Sequence, residues 1–273
     1  MGPKLGIIAG GGELPARLIE VCRGDGRDVF VLAFEGQTDP ATIEDVEHAW
    51  IRLGQGGSAL EVLRVAGVAE LVMVGSIERP SFKALRPDLR TVRFFTKAGV
   101  KSLGDDGLLS AVVAEIEEEG FRVIGPDDIL KDLVAPPGCY GSVEPDEQAR
   151  LDIERGVAAA KALGTKDEGQ AVVVHRDTVL EVETAEGTDA LLRRCAELHR
   201  GGPGGVLVKV RKPQQETRVD LPTIGPQTVV GAAAAGLGGI AVEAGWTLVV
   251  DRPAVVRKAD AAGLFVIGVE VPA

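Results

Sequence analysis

The chain has 273 residues, with 30 Lys and Arg against 41 Asp and Glu and a formal net charge of −11. Hydrophobic residues make up 45% and charged residues 26%, ordinary globular usage that excludes disorder as the overall class. The acidic balance argues against a nucleic-acid-binding surface, which needs clustered Lys and Arg, but leaves room for a local pocket that takes a small anion. Cys22, Cys139 and Cys195 are odd in number and lack CxxC spacing, which points to a reducing compartment. The first residues lead into an apolar strand and a glycine loop, so a signal peptide is not expected. The charge-free stretch Leu221–Val242 carries two prolines and five glycines, so a membrane span is not expected either.

In chain order, Lys4–Gly10 reads as a buried strand and Leu14–Arg23 as a helix with Leu14, Leu18, Ile19 and Cys22 on one face. Strands follow at Asp28–Phe34, Trp50–Leu53, Glu70–Gly75 and Phe121–Gly125, with helices at Ala59–Val65, Thr91–Lys101 and Leu108–Glu119. This alternation predicts a Rossmann-like parallel sheet covered on both faces, over residues 1–133. Val134–Asp146 holds three prolines and two glycines without periodicity, and on composition it reads as a linker. Residues 147–273 read as a second, mixed α/β domain. Its helices are expected at Glu147–Leu163, Thr188–Leu198, Thr228–Ala235 and about Ala254–Ala261. Its strands are expected at Val172–His175, Thr178–Val182, Val206–Arg211, Ile240–Val242, Leu248–Asp251 and Leu264–Val269. The first two form a hairpin across Arg176-Asp177, a turn that lacks the favoured Asn-Gly chemistry.

Four segments could carry chemistry. Gly10-Gly11-Gly12 follows a strand and opens a helix, where backbone can approach a phosphate. Pro15 stands at the third position of the dinucleotide fingerprint, and a plain tight turn is the alternative. Gly104-Asp105-Asp106-Gly107 puts two carboxylates at a helix start. They suit a hard cation, or merely a helix cap and dipole. Glu181–Asp189 brings acids along a strand end and then Thr188 and Asp189 at a helix start, again readable as a cap. The densest segment runs from Lys209, Arg211 and Lys212 through Gln215, Arg218, Asp220 and Thr223 to a Pro-initiated helix, a reasonable phosphate-handling surface. Arg218 and Asp220, if extended, would share a face, and a structural ion pair is their bland explanation.

His48, His175 and His199 lie outside these motifs, and HExxH, GxSxG, a P-loop and a cysteine cluster are all missing. Oxygen-ligand chemistry with Asp, Glu and a cation such as Mg²⁺ remains. An NAD-dependent oxidoreductase and a non-catalytic sugar-nucleotide or lipid-binding protein stay open as alternatives.

Seven segments together resemble UDP-2,3-diacylglucosamine pyrophosphatases of the LpxI family. They are Gly6–Pro15, Gly75–Asp88, Gly104–Leu109, Asp167–Val174, Glu186–Arg194, Gln215–Gly225 and Gly263–Val269. Ser76 departs from the Asn or Lys expected at its position. The resemblance implies a cytoplasmic, membrane-peripheral enzyme of lipid A synthesis that makes transient contact with the membrane surface. It implies hydrolysis of a lipid-linked sugar nucleotide to UMP and 2,3-diacylglucosamine 1-phosphate, with Mg²⁺ (or Mn²⁺) as cofactor and the lipid held between the two domains. A homo-oligomer is left open. The family's essential acid falls on Asp220. By the same resemblance Asp105, Asp106 and Asp189 join Asp220 as metal ligands. Gly10, Gly11, Gly12, Arg79, Thr188, Lys212, Gln215, Arg218 and Thr223 become substrate contacts.

Overall fold

The computed structural model describes residues 2–78, 85–99, 105–198 and 204–272. It divides into two compact units: Met1–Lys131 with Glu216–Asp220, and Asp132–Gln215 with Leu221–Ala273.

Unit 1 is built on a five-stranded sheet of β1 (Leu5–Ala9), β2 (Val29–Phe34), β3 (His48–Ile51), β4 (Glu70–Val74) and β5 (Arg122–Val123). The strand order is β3-β2-β1-β4-β5 and every pairing is parallel. The central strands are near-continuous apolar runs because helices cover both faces of such a sheet. The helices are α1 (Leu14–Gly24), α2 (Gly56–Val65), α3 (Leu89–Ala98) and α4 (Asp105–Glu118). Leu32, Leu63, Leu71, Ile116 and Phe121 form one core cluster. The third strand lies two residues earlier than its expected start, because its register against β2 pairs His48 with Val31.

Unit 2 holds a six-stranded sheet of order β6-β13-β11-β9-β7-β8 and a separate β10-β12 pair. The strands are β6 (Gly138–Cys139), β7 (Ala171–His175), β8 (Thr178–Val182), β9 (Val206–Lys209), β10 (Thr223–Ile224), β11 (Gly239–Glu243), β12 (Leu248–Val249) and β13 (Phe265–Val269). Strands β9, β11 and β13 are parallel, flanked by antiparallel β7 and β6. Helices α5 (Glu147–Thr165), α6 (Gly187–Leu198), α7 (Pro226–Ala234) and α8 (Arg252–Ala262) complete it. Two core clusters form: one joins Leu191, Val229 and Val255 to Leu207 and Ile240, the other Ile153 and Ala160 to Val172 and Val208. The α/β class with a parallel first sheet and a mixed second one is as expected.

Three features were not legible in composition. Residues 134–146 belong to unit 2: Ala135 is buried in its core, β6 pairs with β13, and the Tyr140 hydroxyl donates to the Pro136 carbonyl at 2.9 Å. Prolines and glycines that look like a linker serve equally well in a short edge strand. The β7–β8 turn has positive φ at Arg176 (50°) and Asp177 (63°), the backbone that Asn-Gly usually supplies. Here the buried Asp152 carboxylate stabilises it, accepting from the N–H groups of Arg176 (2.9 Å) and Asp177 (2.7 Å). Finally, Glu216–Asp220 folds with unit 1, although the residues on either side belong to unit 2.

Candidate active site

In unit 1 the glycine loop sits at the carboxyl end of β1, beside β4. The Gly10 N–H donates to the Val74 carbonyl (2.8 Å), and Gly11 exchanges two backbone hydrogen bonds with Ser76 (2.8 and 3.0 Å). A Cβ on Gly10 would lie 2.3 Å from the Ser76 carbonyl oxygen. Gly10 and Gly11 therefore let two strand ends close on each other. Ser76 meets the loop through its backbone. Gly12, at φ +88° with open space around it, stands before α1, whose start has no side-chain cap. Gly12 and the first turn of α1 are what this loop can offer an anion.

Arg79 lies outside the described residues, as do Gly104 and His199. Asp105 opens α4, and Asp106 is buried in its first turn. Residues 216–220 form a tight turn: the N–H groups of Val219 and Asp220 both donate to the Glu216 carbonyl at 3.1 Å. The extended arrangement expected for Arg218 and Asp220 is thus replaced. Arg218 grips Glu216 through two hydrogen bonds (2.8 and 2.9 Å) and reaches Glu117 on α4 at 2.7 Å. These pairings hold the Arg218 guanidinium protonated and push the Glu216 carboxyl below the usual carboxylate range. With Val219 packed on the unit 1 core, Arg218 anchors the turn that carries Asp220.

Unit 2 brings four of the expected residues into one connected network at the carboxyl edge of β9. Lys212 donates from its backbone N–H to Gln215 Oε1 (3.0 Å) and from Nζ to Asp167 (2.5 Å). Gln215 Nε2 donates to Gln170 Oε1 (3.2 Å), and the Gln170 N–H donates to Glu183 Oε2 (2.9 Å). Thr188, in the first turn of α6, donates its hydroxyl to Glu183 Oε1 (2.5 Å) and accepts from Lys209 Nζ (2.8 Å). Lys209 Nζ also donates to the Thr223 carbonyl (3.2 Å). Asp189 is exposed beside Thr188. Gln170 is not singled out by the sequence; Lys209 reads there as one of three bases opening the phosphate-handling segment, and Glu183 as one of the acids along a strand end.

The same edge carries a second polar cluster. Glu243, only 1% exposed at the end of β11, accepts from Lys161 Nζ (3.2 Å), the Arg211 N–H (2.9 Å) and Arg211 Nε (3.1 Å). The Arg211 guanidinium stacks on Trp246 with its carbon 3.7 Å from the ring centroid. Two cations around one carboxylate leave this cluster net positive.

Comparison with known proteins now adds to this geometry. Residues 4–133 match the LpxI N-terminal domain and residues 136–267 the LpxI C-terminal domain. The chain belongs to the LpxI family. It is 43% identical over 274 aligned residues, covering 98% of each chain, to UDP-2,3-diacylglucosamine pyrophosphatase LpxI of Caulobacter vibrioides. A solved structure, CobK precorrin-6A reductase, aligns at 14% identity and TM-score 0.36 over 100% of this chain and 89% of that one. Similarity at that level bears on neither fold nor function. The LpxI C-terminal match contains the whole unit 2 network, from Asp167 to Thr223.

Proposed function

We propose that the chain hydrolyses the diphosphate of UDP-2,3-diacylglucosamine to UMP and 2,3-diacylglucosamine 1-phosphate. The observation that carries this reading is the 43% identity, over 98% of both chains, to a relative named for that pyrophosphatase activity. The chemistry needs an anionic diphosphate to be held and a water to be aimed at phosphorus. The cations Lys161, Lys209 and Arg211 of unit 2 suit the first requirement. Asp220 suits the second, as the carboxylate that orients water and takes its proton.

The donor set fits a hard cation, since it offers carboxylate oxygens without a His or Cys cluster. Among the described residues no three His, Cys, Asp or Glu side chains group together. Mg²⁺ commonly takes one or two carboxylates and completes its shell with water and substrate phosphates. Asp220 would hold it here, and the ion would neutralise charge on the diphosphate oxygens.

Contact with a lipid surface is part of the same reading. Among the described residues no helix is long and apolar enough to cross a membrane. Helix α3 presents Leu89 (81% exposed), Val92 (45%), Arg93 and Thr96 at spacings of three and four, an apolar and cationic face on an acidic protein. Anionic vesicles should co-sediment the protein, and Leu89→Glu with Val92→Glu should weaken that. The test of the activity is direct: purified protein, UDP-2,3-diacylglucosamine and Mg²⁺ should release UMP. Absence of UMP would refute the reading.

A further inference from the structure

Lys209 is a cation in an unusual position. It is 7% exposed, and both its hydrogen-bond partners are neutral oxygens: the Thr188 hydroxyl and the Thr223 carbonyl. Among the described residues no carboxylate lies within ion-pair distance of its Nζ. Glu183 is the acid bridged to it, one hydroxyl away through Thr188, and two other buried or half-buried acids of unit 2 have cations of their own. Glu243 takes Lys161 and Arg211, and Asp167 takes Lys212. A buried ammonium without a direct counter-ion is costly unless something anionic completes it. Nζ carries three protons and the fold accepts two of them.

The orientation of the neighbouring hydroxyl is forced. Lysine can only donate and a carboxylate can only accept, so Thr188 must accept from Lys209 and donate to Glu183. Glu183 is itself 6% exposed and pinned at its other oxygen by the Gln170 N–H. The chain Gln170–Glu183–Thr188–Lys209 therefore has one direction of hydrogen bonding, and it fixes Nζ at the carboxyl ends of parallel strands, where α/β sheets take ligands. Thr188 already has its proton on Glu183 and cannot donate it to a substrate.

We propose that Lys209 binds a phosphate oxygen of the substrate's diphosphate and that Glu183 positions it through the Thr188 hydroxyl. The proposal rests on the pyrophosphatase reading for the identity of the anion. Lys209 is then a catalytic residue, while Thr188 and Glu183 are positioning residues. The phosphate would supply the third acceptor and a direct counter-charge, and the cation would stabilise charge that builds on phosphate oxygens in the transition state.

The test uses the full chain and two readouts, UMP release from UDP-2,3-diacylglucosamine with Mg²⁺ and calorimetric binding of inorganic pyrophosphate. Lys209→Met, whose side chain suits the buried site, should lower kcat/KM by about 10²-fold or more and abolish pyrophosphate binding. Thr188→Val and Glu183→Gln should each lower kcat by about tenfold with a smaller change in KM, while Thr188→Ser restores the wild-type value. The near-isosteric Thr188→Val and Glu183→Gln carry the test if Lys209→Met does not fold. A folded Lys209→Met with wild-type kcat/KM and pyrophosphate affinity overturns the proposal, as does Thr188→Val with unchanged kcat. If wild-type protein releases no UMP, the pyrophosphatase reading fails. Pyrophosphate binding by wild type and its loss in Lys209→Met would still support Lys209 as the anion site, and equal binding would overturn it.

Discussion

Asp220 sits on a turn whose backbone closes on Glu216 and whose neighbour Arg218 is already bound to two glutamates. Arg218 is thus committed to Glu216 and Glu117. Asp220→Asn keeps the shape and removes the charge and basicity. It should lower kcat by about 10²–10⁴-fold, the range for loss of a general base, with the melting temperature close to wild type. A folded variant with near-normal kcat would remove Asp220 from the mechanism. Tyr140 allows an independent check at the same scale, because it is the chain's one tyrosine. Burial pushes its hydroxyl up to about 12. Absorbance titration at the phenolate band should show ionisation near that value in the folded protein and near ~10 once it is unfolded. A single native transition near 10 would contradict its packing on the unit 2 core.

At the scale of elements, two short segments do more than their length suggests. Residues 216–220 reach unit 1 through Arg218 and Val219. If Arg218 is an anchor, Glu117→Gln and Glu216→Gln should each lower kcat several-fold by loosening the turn under Asp220. If instead Arg218 binds phosphate directly, releasing it from glutamates should leave kcat intact and lower KM. Residues 134–146 add β6 to the edge of the unit 2 sheet, and Gly268 on β13 accommodates them. A Cβ there would lie 2.0 Å from the Pro136 carbonyl oxygen and 2.7 Å from the Tyr140 hydroxyl. Gly268→Ala should cost at least about 2 kcal/mol by overpacking, read as a lower midpoint in urea. Asp152→Ala should cost about 3 kcal/mol, because the charge-assisted bonds to the β7–β8 turn go with it.

For the molecule as a whole, pH should erode stability from both sides. Glu216 is held below its ordinary value by Arg218, Glu119 by Arg90 and Arg64, and Asp88 by backbone and side-chain hydrogen bonds from Thr91 together with the Gly57 N–H, which outweigh its burial. Groups whose folded value is depressed contribute stability that is complete above their unfolded values, near ~4, and lost as pH falls through the folded ones. Tyr140 and Cys195 move the other way. Burial raises Cys195 to about 11, so the unfolded chain releases these protons first and stability falls as pH rises from ~8.5 toward 12. Melting temperature against pH should therefore be a plateau that drops below about 4 and again above about 9. Chelation acts on activity instead. EDTA should abolish UMP release and Mg²⁺ restore it, while full turnover in excess chelator would exclude the cation.

Local sequence determined the order of elements and their kind. β1, β4 and β11 are short apolar runs bounded by glycine and polar residues, and those patterns force buried strands wherever the chain places them. Helix starts at Pro15, Pro226 and Pro253 follow from proline's fixed φ. Lys212, Gln215 and Thr223 were legible as a polar, cation-rich stretch, and Thr188 as a helix start after a run of acids. Only the tertiary structure decided what they touch. Lys209 reads in sequence as one base among three, and Glu183 as one acid among several. A hydrogen-bond chain between residues 21 positions apart has no local period to betray it, since β7, β8 and β9 bring those ends together by pairing. Likewise nothing in Glu216–Asp220 says that five residues leave one unit for the other. That choice depends on Glu117, about a hundred residues earlier, being placed on α4 to receive Arg218.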